Sequence, residues 1–336
     1  MTDPTSLTDP TSPPDPGAVT DETVVVPPKP PAEPPASRTQ IWIRSLTSLA
    51  LYLAIGYFFF NQNWTLVLIL TLVVVFHELG HFFAMKIFNY TDLGIFFIPL
   101  VGAFASGTKK EVSQLQSSII LMAGPVPGII AGLLIQLGLH YFPPDPEYAL
   151  LLRSTSWILI LLNLLNLLPI YPLDGGQLLH RLFLDDSQVI SKAFLLLSIG
   201  FLTWFALFGA PRPYYALLLF PAYLLSRMFS DNQLDKLTHK VEAEGINLDT
   251  SYEDISDSDY WKIRQVLIRE HSPFRDLADD PPFQYSQKEP QIRAMIQSLL
   301  QRTIVQDVSV PGKIIIITIW VACFVLPFLL GVRLPF

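Results

Sequence analysis

The stretch His77-Glu78-Leu79-Gly80-His81 puts two imidazoles and a carboxylate within five positions. On a helix, residues four apart stack one turn above the other. His77 and His81 therefore point the same way, at the spacing that two ligands of one tetrahedral zinc require. Glu78 projects in the neighbouring direction, where it can serve a water on the metal as general base. The flanks, VVVF before and FFAM after, are apolar. In a soluble chain, a chance HExxH on a buried helix would compete with this reading. Inside a bilayer, ionisable side chains are costly and are functional by default. Zinc is the partner that offsets the cost of three of them.

A catalytic zinc keeps three protein ligands and an open position. The remaining histidines are His140, His180, His239 and His271. The last two lie in a polar region, and His140 falls at the far end of another apolar run. The segment NLLNLLPIYPLDGGQLLH, residues 163–180, offers more. Pro169 and Pro172 must end or kink its helix. A helix broken at membrane depth exposes backbone that needs polar company, and Asp174 is the carboxylate at that break. The helix of His77 and the helix leading to Asp174 are separated by one return crossing, so they run in the same direction and reach similar depth. A plain helix-ending turn is the alternative for Pro-Leu-Asp-Gly-Gly, and His180 is a competing ligand. Asn166, a little over two turns before Asp174, either orients a peptide and its oxyanion or acts as interhelical glue, as Asn163 nearby would.

The elements that must position these residues are membrane spans. The 336-residue chain is 51% hydrophobic and 15% charged, with a mean hydropathy of +0.41, against about 25% charged in soluble domains. Apolar runs at roughly 41–60, 64–88, 116–140, 149–170, 190–209, 213–229 and 314–332 approach the length of about 20 residues that a bilayer demands. The run at 213–229 is the shortest of them. If the second span enters at Trp64, the helical rise puts His77 roughly 20 Å in, about 10 Å from the other face of a core about 30 Å thick. Residues 91–110 are apolar but broken by glycines and a proline, which predicts extended or re-entrant backbone. Residues 1–37, rich in Pro, Asp, Thr and Ser, read as a disordered tail, with no basic n-region of a signal peptide. The net charge of −7 and the lack of a basic block exclude nucleic acid as a partner. The single cysteine, Cys323, excludes an internal disulfide.

HELGH in one span, followed by Asn166-Leu-Leu-Pro169 and Leu173-Asp174-Gly175-Gly176, resembles the site-2 protease family of intramembrane zinc metalloproteases. The resemblance covers about residues 60–185. It implies a three-span core in which His77, His81 and Asp174 bind Zn2+, Glu78 activates the zinc-bound water, and Asn166 lines the site. It also implies that the segment from Gly94 to Gly107 supplies strands beside which an extended substrate pairs. Where the family often carries G-P-x-x-N, this chain has Gly124-Pro125-Val126-Pro127-Gly128, with Gly in place of Asn.

The expected fold is therefore an all-α polytopic membrane protein with a three-helix catalytic core and a broken, β-like segment. Its expected parts are a Pro-rich tail (1–37), an extra N-terminal span (38–62), the protease core (63–186), additional spans (187–229), a small soluble helical module (230–312) and a C-terminal span (313–336). Lys and Arg in the short loops put the tail and the module on the cytoplasmic side, and a bacterial inner membrane is the expected location. The expected function is hydrolysis of peptide bonds in or near transmembrane segments of membrane-protein substrates. The rival is an inactive scaffold or transporter with a vestigial metal site. An intact Glu78 argues against it, as does the absence of the paired repeats of a transporter.

Overall fold

The structure is a computed structural model that describes residues 26–32, 37–99, 102–109, 112–184, 188–209, 215–277, 284–300 and 304–331. Most of the expected tail, residues 1–25 and 33–36, lies outside these, as does the end of the last span beyond residue 331.

Helix α1 (Arg38–Phe59) opens on a capping box in which Ser37 and Gln40 exchange side-chain to backbone hydrogen bonds. Helix α2 (Trp64–Ile87) carries HELGH and is capped by Asn63. The broken apolar segment that follows is an antiparallel hairpin, β1 (Thr91–Ile98) and β2 (Gly102–Thr108). Helix α1 packs along the outer edge of β1, where Ser48 Oγ accepts the Phe97 amide at 3.1 Å. The second core span is β3 (Val112–Ser113) leading into α3 (Gln114–Ala123) and α4 (Pro125–Tyr141), joined at Gly124. The third is α5 (Pro146–Asn166). Helices α4 and α5 form the most extensive helix pair, and Ser156 Oγ donates to the Gly132 carbonyl between them.

After α5 the chain breaks and restarts as α6 (Asp174–Leu179), which runs on through a π-helical turn at His180–Leu184. The polar groups freed by the break find partners on flanking helices, as backbone away from water must. The Tyr171 amide donates to Ser198 Oγ of α7 (Gln188–Phe208) at 3.1 Å. The Pro172 carbonyl accepts the Gln177 side chain at 2.8 Å. α8 (Leu219–Ala243), α9 (Asp257–Glu270) and α10 (Glu289–Leu300) follow, then β4 (Ile304–Val305) and the last span, α11 (Val310–Leu329). From α11, Trp320 Nε1 donates to the Leu167 carbonyl at 2.9 Å. The architecture is thus a polytopic helical one with a three-helix core and a small hairpin.

Six helical stretches among the described residues are long and apolar enough to cross a membrane, and the 213–229 run is not one of them. Its described part, from Tyr215 on, is a short 3-10 turn and the start of α8, which continues into charged sequence. Contacts link the starts of two of the six. Strand β4 pairs in parallel with β3, and Asp307 accepts from Ser113 Oγ and the Leu115 amide. The starts of α3 and α11 therefore share one face. Arg227 of α8 stacks over the Tyr171 ring of the break at 5.5 Å.

The later part of α8 joins α9 and α10 in a second core built on Tyr260, Trp261, Ile263, Leu267, Ile292 and Ile296. At its centre, the buried Arg264 guanidinium pairs with Glu289 at 3.0 Å, and the Tyr260 hydroxyl donates to the same carboxylate at 2.6 Å. Burial and that bond push the Tyr260 phenol well above its ordinary range. Residues 26–32, expected as part of a disordered tail, instead lie against this module: Trp261 Nε1 donates to the Pro27 carbonyl at 2.7 Å. Prolines and one lysine bury little surface alone, but they order where a partner supplies donors for their carbonyls.

Candidate metal centre

Helix α2 brings the rings of His77 and His81 together on its core-facing side, both buried. Their Nε2 atoms stand 3.0 Å apart. Asp174, the first residue of α6, extends Oδ2 to 3.1 Å from His77 Nε2 and 3.4 Å from His81 Nε2. Gly175 and Gly176 let α6 press on the broken backbone beside it; a Cβ on Gly176 would lie 2.3 Å from the Ile170 carbonyl carbon.

The other face of each ring settles its proton. Asn163 Nδ2 donates to the Leu159 carbonyl at 2.7 Å, so its Oδ1 faces His77, where it accepts the Nδ1 proton at 2.7 Å. His81 Nδ1 likewise donates to the Ile120 carbonyl at 2.7 Å. With Nδ1 the donor in each ring, it is Nε2 of the neutral imidazole that presents a lone pair to the shared space. The two Nε2 atoms face each other and a buried Asp174 Oδ2 that has no hydrogen-bond donor. Three such atoms converging in a dry site repel one another unless a proton or a metal ion lies between them, and a metal ion serves all three at once. Two ligands each about 2.1 Å from a tetrahedral zinc stand about 3.4 Å apart, close to the spacing here. His77, His81 and Asp174 therefore fit a metal, and they are the group of such residues among those described that does.

Glu78 is buried next to this trio, and the Ala105 backbone amide of β2 reaches its carboxylate. Asn166 is the last residue of α5 and half-buried, and its side chain makes no hydrogen bond among the described residues. His180, the competing ligand, bonds Ser191 Oγ at 2.5 Å instead.

Asn163 is the residue that spacing alone passed over, since a lone amide in an apolar helix reads equally well as glue. The signal lay on the facing helix. Gly128 stands where the family often has Asn, and a Cβ there would lie 2.2 Å from Asn163 Nδ2. Glycine at 128 opens the space, and the amide of α5 fills it. Gly124 plays the same part for His81, whose Nε2 would lie 2.3 Å from an added Cβ.

Residues 65–151 match the model of peptidase family M50, a stretch holding HELGH, the hairpin and the second core span. The resemblance to the site-2 protease family holds. The chain is 27% identical over 155 residues to a zinc metalloprotease from Methanocaldococcus jannaschii, covering 45% of each chain. It is 30% identical over 120 residues to stage IV sporulation protein FB from Bacillus subtilis, covering 34% of this chain and 39% of that one. It thus spans less than half the length of either relative. A site-2 protease structure from Methanocaldococcus jannaschii aligns over 53% of this chain and 84% of its own, at 22% identity and a TM-score of 0.40.

Proposed function

We propose that the chain is an intramembrane zinc metalloprotease that hydrolyses peptide bonds in or near the transmembrane segments of membrane proteins. The observation that carries this reading is the convergence of His77 Nε2, His81 Nε2 and Asp174 Oδ2, with both Nδ1 protons already committed. Zinc held there supplies Lewis acidity for the scissile carbonyl and lowers the pKa of water.

The chain's residues do the rest. Glu78, one position from a ligand, takes the proton of the attacking water and returns it to the leaving amine. The Ala105 amide lies on the side of β2 that faces this carboxylate. Asn163 and Ile120 hold the two imidazoles in one tautomer and one orientation. The free amide of Asn166 orients the peptide at the break. A helical substrate hides its carbonyls in i to i−4 bonds and must unwind first. The outer edge of β1 is covered by α1 through Ser48, so an unwound segment pairs along β2. In an antiparallel ladder, alternate residues point outward, and Ala103 and Ala105 share that outward parity. A substrate strand on β2 therefore passes beside Glu78. With the tail and module on the cytoplasmic side, cleavage releases a product to that side.

The test is a proteomic comparison of membrane and soluble fractions from cells carrying the wild type or Glu78→Gln. The variant should retain zinc and accumulate uncut membrane substrate, with the rate reduced by a factor of about 10² to 10⁴. Equal processing by Glu78→Gln would sink the protease reading.

A further inference from the structure

The run Val26-Pro27-Pro28-Lys29-Pro30-Pro31-Ala32 meets the module with a regularity that packing alone does not require. Proline lacks an N–H and has a fixed φ, so such a run is already extended and presents its carbonyls outward. All four proline carbonyls accept a side-chain donor. Trp261 Nε1 takes Pro27 at 2.7 Å, the Tyr285 hydroxyl takes Pro28, the Tyr252 hydroxyl takes Pro30 at 2.8 Å, and Arg293 Nη1 takes Pro31 at 2.8 Å. The one N–H within the four prolines, that of Lys29, donates to Asp257 Oδ1 at 2.8 Å.

The Lys29 side chain sets the register. Its ammonium donates to the carbonyls of Tyr252, Glu253 and Ile255 at 2.9, 2.8 and 2.5 Å and lies 5.6 Å from the centre of the Tyr252 ring. Lys29 is the only lysine or arginine in residues 1–37, so no other proline pair of that segment can fill this cage. The donors come from separate places: the turn before α9, α9 itself, the approach to α10, and α10. Aromatic side chains with a polar tip, reading the carbonyls of a pre-extended proline run, form a recurring mode of peptide recognition.

We propose that the 230–312 module is a recognition site for extended, lysine-centred proline-rich segments, and that residues 26–32 are its resident, displaceable ligand. Bound in cis, the segment straps the start of α1 to the module. A covalently attached ligand works at an effective concentration near the millimolar range, so a free segment of the same chemistry meets a site already filled. This proposal is independent of the protease reading.

The test uses a fluorescein-labelled peptide of residues 25–33 and fluorescence anisotropy on detergent-solubilised protein. Three proteins are compared: the wild-type chain, the chain with residues 1–36 deleted, and the full chain carrying Lys29→Ala. The peptide should bind at least one of the two variants tenfold or more tightly than it binds the wild type, because the groove is vacated. The same peptide with Lys29→Ala should bind that variant at least tenfold more weakly. Binding no tighter to either variant than to the wild type, or equal binding of the two peptides, overturns the proposal.

Discussion

The Oδ1 of Asn163 accepts the Nδ1 proton of His77 across 2.7 Å, from a side chain whose own position depends on a glycine, Gly128, in the facing helix. The orientation of one ligand is thus set by two helices that do not carry it. Partners of this kind affect metal affinity by about 10- to 100-fold. Asn163→Leu should therefore weaken zinc affinity by that factor in competition with a chelator, so that less zinc remains after dialysis, while the fold persists. Metal analysis by mass spectrometry checks it. Gly128→Asn should also lose metal, and Gly128→Asn combined with Asn163→Gly should recover part of it.

Asp174 and His180 separate cleanly as third-ligand candidates. His180 is engaged with Ser191, whereas Asp174 Oδ2 faces both Nε2 atoms. His180→Ala should keep one zinc per chain, and Asp174→Asn should lose it under the same chelator. Zinc lost from the His180 variant alone would reverse the assignment.

The helix break is held from outside. Ser198→Ala leaves the Tyr171 amide without its acceptor, and an unsatisfied buried group costs about 1–3 kcal/mol. Trp320→Phe removes the donor to the Leu167 carbonyl while keeping an aromatic ring. Each variant should lower the thermal midpoint in detergent, and neither should remove the metal ligands themselves. An unchanged midpoint in both would mean that water or lipid headgroups already serve these atoms.

In the module, Arg264 and Glu289 are a buried pair, and removing one partner from such a pair costs about 3–5 kcal/mol. Arg264→Met should open the 230–300 region to limited proteolysis. Arg264→Met with Glu289→Leu should be nearer to wild type, because no uncompensated charge remains.

The parts of the site that were legible in the sequence are those whose geometry is local. Four-residue spacing on a helix puts His77 and His81 on one side whatever surrounds them. Asp174 was reachable because two prolines force a break, and counting crossings fixes its depth. Asn163 was not reachable that way. What distinguishes it from Asn166 is the neighbour across the helix interface, and one-dimensional spacing carries no information about that neighbour. From the residues alone the hairpin was visible as a break in helical pattern, since its glycines and apolar residues fit a re-entrant turn equally well, and the expectation of strands from Gly94 to Gly107 came from the family resemblance. The docking of residues 26–32 was invisible for a related reason. Composition says only that such a run cannot form a core, while its contacts lie more than 220 residues away. The short run at 213–229 counts as a span by its apolarity, yet it is not among the helices long and apolar enough to cross a membrane, because α8 carries it on into charged sequence.

The β3–β4 pairing fixes where fusions report. If α3 and α11 start on one face, α11 leaves Leu329 on the other, while Val26 sits with the module on the first. A reporter enzyme joined ahead of Val26 and one joined after Leu330 should therefore light up in different compartments, and a tag chosen for purification at one end will be shielded from reagents that reach the other.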